Sequence, residues 1–174
     1  MAVALSLVLG GAAADAVRAV WRSLAEDGEG RDMLDLGYPP HLTLVVVGDE
    51  GQAPQLVDAL GSLAPLVPKT LTLGEVRQFA DASVTWVSFV GDRTQLDRLH
   101  GVAASVIEAD AIDPLYQPGS WIPHVTLATA GNARSLLAHA RARWTPRVIA
   151  RIARIEVARF PPAEAIAGID LPAE

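Results

Sequence analysis

The chain contains no cysteine. That absence excludes disulfide staples, a cysteine nucleophile, thiolate-ligated zinc and cysteine-bound iron–sulfur clusters, and it leaves the redox compartment open. Lysine is almost missing as well: Lys69 is the only one, so no G-x-x-x-x-G-K phosphate loop exists and Gly10-Gly11 does not begin one. No apolar run approaches the roughly 20 residues that cross a bilayer, so no membrane partner is expected. Positive charge is also short. Fourteen Lys and Arg stand against 20 Asp and Glu, and the net charge of −6 argues against sequence-blind binding to long duplex nucleic acid.

What remains is an apolar chain of 174 residues, 51% hydrophobic with a mean hydropathy of +0.28. It is long enough to bury roughly 70% of the surface of its unfolded form, which points to one globular domain over 1–174 and a monomer. The run Ala2 to Leu9 resembles a secretory h-region, but no Lys or Arg precedes Arg18. It reads as a buried strand that turns at Gly10-Gly11 into a helix, and a cytoplasmic location follows as the expectation. Charge is uneven along the chain: Arg134, Arg141, Arg143, Arg147, Arg151, Arg154 and Arg159 crowd the last quarter, forming either a solvated surface or an anion-attracting face.

Apolar periodicity predicts strands at about 2–9, 41–47, 83–90 and 121–127, and helices at about 12–25, 53–64, 93–109 and 132–144. Extended segments are expected near 69–79, 147–160 and 166–171, although the arginines at 147, 151 and 154 would also suit a helix face. The two halves repeat one order of elements, with His41 and His124 separated by 83 residues and Ser6 and Ser88 in similar places. The expected fold is α+β: a bilobal, pseudo-twofold duplication of a β-α-β-α-β unit with antiparallel sheets lining a central cleft. The lobes would span about 1–80 and 81–174, with room for exchange of their terminal strands.

The repeat carries chemistry. Pro40-His41-Leu42-Thr43-Leu44 and Pro123-His124-Val125-Thr126-Leu127 share a Pro-His-x-Thr-Leu pattern, whereas this composition gives only about 0.2 His-x-Thr matches by chance. In a strand, residues i and i+2 share a face, so each motif presents an imidazole and a hydroxyl while its apolar neighbours enter the core. Two imidazoles supply the base and the acid that in-line phosphodiester cleavage needs, because a pKa near 6.5 leaves one neutral and one protonated at little cost. Threonine hydroxyls can donate to the non-bridging oxygens. Two histidines without a carboxylate cluster make a poor zinc site, so no metal and no other cofactor is expected.

These paired motifs resemble the His-x-Thr-x signatures of the two-histidine phosphoesterase superfamily, which contains the 2′-5′ RNA ligase-like proteins and the cyclic phosphodiesterases. Phe79, Val84-Thr85-Trp86-Val87 and Trp121-Ile122 extend the similarity. The resemblance implies metal-independent catalysis on 2′,3′-cyclic phosphates, 2′-5′ linkages or related diesters, with His41 and His124 as the acid and base pair and Thr43 and Thr126 binding phosphate. The partner would be a nucleotide or an RNA end.

Tyr116 and Trp121 are the aromatic candidates for stacking a base, ahead of Tyr38 and Phe79. His100 and His139 lie in predicted helices, without a threonine two residues on, and read as surface or capping residues. A non-catalytic nucleotide or RNA-end binding module with the same cleft is the rival. Turnover of a 2′,3′-cyclic nucleotide separates the two.

Overall fold

The apolar N-terminal run forms a strand, β1 (Ala2–Gly10), in which Val3, Leu5 and Leu7 are wholly inaccessible to solvent. The turn that follows needs both of its glycines. A Cβ on Gly10 would lie 2.9 Å from the Ala153 Cβ, and Gly11 sits in the left-handed region at φ +63°. Helix α1 (Gly11–Glu26) then buries Ala13, Val17, Val20, Trp21 and Leu24 at three- and four-residue spacing.

The remaining elements are α2 (Asp32–Asp35), β2 (His41–Val47), α3 (Ala53–Leu63), β3 (Thr70–Gln78), β4 (Thr85–Val90), α4 (Thr94–Ala104), β5 (Val125–Ala128), α5 (Ala133–Arg143), β6 (Val148–Phe160) and β7 (Glu164–Asp170). This computed structural model describes residues 1–81, 83–129 and 133–173, so Asn132, at the start of the last predicted helix, lies outside them.

The fold is α+β, with one seven-stranded antiparallel sheet in the order β1-β2-β5-β4-β3-β6-β7. β1 also pairs with β6, so the first six strands close into a circuit. The third strand of each half pairs with the first strand of the other: β3 with β4, and β6 with β1. The circuit is thinnest between the two motif strands. β2 and β5 are joined through a single residue pair, Leu42 and Val125.

The segment expected to be extended near 147–160, whose arginines also suited a helix face, is strand β6: Ala150, Ile152, Ile155 and Val157 face the core, and a bulge opposite Val8 and Leu9 inserts Ala153. The bulge stretches an alternation of two into a spacing of three between Arg151 and Arg154, which mimics a helix face. Two other segments differ from the expectations of periodicity. The helix expected to reach 109 stops at Ala104, where Val106 and Ile107 close tight turns onto Ala103 and Ala104. The strand expected from 121 starts only at Val125, because Pro123 has no N–H to give to a ladder. Among the described residues no helix is long and apolar enough to cross a membrane.

Candidate active site

The Leu42–Val125 pair fixes the geometry of both motifs. Carrying its antiparallel register one residue each way sets His41 across from Thr126 and Thr43 across from His124. Leu42, Leu44, Val125 and Leu127 are all at most 1% exposed, and this anchors the backbone from the core side. On the opposite face His41, Thr43, His124 and Thr126 line one cavity of about 170 Å³, together with Ser6, Tyr38, Tyr116 and Arg159. Ser6 stands opposite Thr43 in β1, and its hydroxyl lies 3.4 Å from that of Thr43. The sequence pairs Ser6 with Ser88, but the residue facing Thr126 is Trp86. Ser88 instead ties to the Glu75 N–H and carbonyl at a β3 bulge.

Both imidazoles are held in the same way. Nδ1 of His41 meets the Pro39 carbonyl at 2.8 Å, and Nδ1 of His124 meets the Ile122 carbonyl at 2.7 Å. A carbonyl only accepts, so Nδ1 carries the hydrogen in each ring and Nε2 is left for a ligand. Burial lowers the pKa of both rings. The carbonyl bonds oppose this, and for His41 the charge of His124 adds to the lowering while Glu156 opposes it.

The surroundings of the two rings differ. His124 is packed edge-on against Phe79 and Trp86, with centroids 5.1 and 5.8 Å away. His41 is packed edge-on against Tyr38 at 4.8 Å, and the Tyr38 hydroxyl donates a hydrogen bond to Glu156, which is only 5% exposed. Arg154 donates to the other Glu156 oxygen at 2.7 Å and to Asp170 at 2.6 Å. Burial and the adjacent carboxylate push the Tyr38 hydroxyl far above the ordinary phenol range. Gly168 makes room for this network, since a Cβ there would lie 2.6 Å from Arg154 Nε. Nothing in the local sequence marks Glu156, because it reaches Tyr38 only through strand pairing across 118 residues.

Two indoles brace the motif strands. Trp121 Nε1 donates to the Thr43 carbonyl at 3.0 Å, and Trp21 Nε1 donates to the Thr126 carbonyl at 3.1 Å. Trp21 is legible in the sequence only as part of an apolar helix stripe. Trp121 stacks on His100 with centroids 4.0 Å apart, and His100 Nε2 bonds to the Tyr116 carbonyl. His100 is therefore a buried packing residue, 5% exposed, where a surface or capping role was expected. It fills the inner side of α4, and its ring nitrogen finds a carbonyl partner there. Trp121 also borders a second cavity of about 450 Å³, with Phe79, Val84, Leu115 and Ile122. The two cavities meet at Tyr116, His124 and Thr126. Burial, with Asp113 nearby, raises the Tyr116 hydroxyl to about 12.

Of the arginines of the last quarter, Arg159 alone stands among the described residues lining the two cavities. Arg143 pairs with Asp27, Arg154 with Glu156 and Asp170, and Arg159 with Glu50 and Glu164, while Arg141 Nε donates to the Val76 carbonyl. Among the described residues no group of three His, Asp or Glu could hold a metal ion.

The architecture is shared with known proteins. E. coli LigT solved with 3′-AMP matches with a TM-score of 0.61 at 17% identity, covering 98% of each chain. LigT solved with ATP matches at 0.56 and 17% identity over 99% of this chain and 98% of that one. Usb1 of Kluyveromyces marxianus matches at 0.56 and 14% identity with the same coverage. Identities this low speak for the fold alone. No curated protein matches the chain by sequence. The family model described as the 2′-5′ RNA ligase superfamily matches residues 12–161, most of the chain. A match of that extent settles the family: the chain belongs to the 2′-5′ RNA ligase superfamily, within the two-histidine phosphoesterases.

Proposed function

We propose that the protein is a metal-independent phosphodiesterase acting on cyclic or 2′-5′ phosphodiesters of nucleotides or RNA ends. Family membership supports phosphodiester chemistry in general. The finer reading is carried by the meeting of both His-x-Thr pairs in one cavity, with each imidazole held through Nδ1 so that Nε2 faces a ligand.

The pair divides the roles: one imidazole is neutral and acts as the base, and the other holds the proton and acts as the acid. Nε2 of the base takes a proton from water as its oxygen forms a bond to phosphorus. The opposite P–O bond breaks, and the leaving oxygen receives the proton on Nε2 of the acid. One water is consumed, and the imidazoles recover their starting states through solvent. The Thr43 and Thr126 hydroxyls donate to the non-bridging oxygens, where charge builds up in the transition state. Tyr116 and Trp121, which border the larger cavity, flank the organic part of the substrate.

The test is turnover of 2′,3′-cyclic nucleotides and 2′-5′-linked dinucleotides after exhaustive chelation. Activity should persist. Replacing either histidine by alanine should cost about 10²- to 10⁴-fold in rate, and the double variant less than the product of the two. Loss of wild-type activity on chelation, restored by a divalent ion, would overturn the scheme.

A further inference from the structure

The two joined cavities offer a ligand very little positive charge. Among the described residues lining them Arg159 is the only Lys or Arg, and two carboxylates already hold its guanidinium. Its Nη1 lies 3.1 Å from Glu50, and its Nη2 and Nε lie 2.7 and 3.0 Å from Glu164. The acids nearby are a Glu156 that is buried behind Tyr38 and already holds the Arg154 guanidinium, and an Asp81 on the rim of the larger cavity that accepts from the Ser83 N–H and hydroxyl. The side-chain donors left for a phosphate are neutral hydroxyls, among them those of Thr43, Thr126, Ser6 and Tyr116, and a single protonated imidazole. The larger cavity is walled by Phe79, Val84, Leu115, Trp121 and Ile122, and Leu115 and Ile122 are exposed.

One imidazolium balances one negative charge, and a second phosphate in these cavities would face no unpaired cation. Resting on the phosphodiesterase reading, we infer that the site selects a small phosphodiester with a single negative charge on an uncharged, largely apolar body, such as a nucleoside cyclic phosphate, and rejects oligonucleotides and diphosphate-bearing substrates. The same charge balance favours release of product. Adding water across one P–O bond turns the monoanionic diester into a monoester, whose second proton leaves with a pKa of about 6. The resulting dianion meets a site with one imidazolium and no unpaired guanidinium or ammonium among the described residues lining it, so the product leaves readily.

The experiment compares kcat/KM for three substrates over about 50 to 500 mM salt: a nucleoside 2′,3′-cyclic phosphate, the same compound with a 5′-phosphate, and a trinucleotide ending in a 2′,3′-cyclic phosphate. For the first, kcat/KM should change by less than about twofold across the range, and each added phosphate should lower it by roughly tenfold at low salt. Replacing Glu50 and Glu164 together by glutamine frees Arg159. That variant should narrow the gap for the trinucleotide and give its rate a falling salt dependence. A wild-type preference for the trinucleotide, with a log–log salt slope of about −2 or steeper, would overturn the inference while leaving the phosphodiesterase reading intact. If none is turned over, that reading fails. The charge preference is then read from shifts of the imidazole NMR signals on titration with the same three compounds: tighter binding of the cyclic mononucleotide supports it, and tighter binding of the trinucleotide refutes it.

Discussion

Each catalytic candidate is a cavity-facing, largely desolvated side chain on a backbone that the core holds, and this governs its titration. Burial lowers the pKa of both His41 and His124, so the proton required on the acid is lost at lower pH than from free imidazole. The kcat/KM profile should be a bell centred on the acid side of pH 6.5, with limbs that belong to the coupled pair. An alkaline limb above about pH 7.5 would contradict the effect of burial. A bound phosphate reverses the sign, because its charge favours imidazolium, so inhibition by a monoester should strengthen as pH falls. At this scale the sequence was informative about His41, Thr43, His124 and Thr126, since a repeated four-residue pattern is visible without a fold. It was silent on Glu156, whose meaning depends on Tyr38 lying against it.

Secondary-structure elements contribute mainly by bracing. The Trp21 and Trp121 indoles reach across the molecule to the carbonyls of Thr126 and Thr43, joining α1 to β5 and the loop before β5 to β2. Replacing either by phenylalanine keeps much of the ring packing but leaves a partly buried carbonyl without its donor. Each should cost about 1–3 kcal/mol in urea unfolding. Under the proposed mechanism each should also lower kcat more than it raises KM, because the threonine hydroxyls would drift from the phosphate. An unchanged unfolding midpoint would mean that water replaces the indole fully. Most elements followed from apolar periodicity, as in β1, α1 and β2. Periodicity left the arginines of β6 open between helix and strand because a bulge is a property of two paired strands, and a single strand's sequence does not display its partner.

For the molecule as a whole, the closed strand circuit leaves three histidines buried or partly buried, and burial lowers the pKa of His41, His100 and His124 alike. In the unfolded chain each takes up a proton near pH 6.5, whereas the folded protein resists protonation until lower pH. Their contribution to stability is therefore fully present above pH 6.5 and lost as pH falls through the lowered folded values. Urea midpoints measured at pH 7.5 and 5.5 should show the protein weaker at 5.5, and an equal or higher midpoint there would refute this account. The acidic balance was legible from composition, but the dispersal of the C-terminal arginines into ion pairs was not.

The order of residues by itself determined the two Pro-His-x-Thr-Leu motifs, the alternation that turns Leu42, Leu44, Val125 and Leu127 into the core, and the absence of cysteine chemistry. All of these are local: covalent spacing and the two-residue period of a strand are enough to specify them. Only the tertiary structure decided that one pair, Leu42 with Val125, sets each histidine across from the other motif's threonine, and that Glu156 sits behind Tyr38. It also decided that Arg159 is neutralised by Glu50 and Glu164. Those outcomes depend on which strand edges meet and in what register. Register is chosen by the sum of packing over the whole core, and no window of sequence contains that sum.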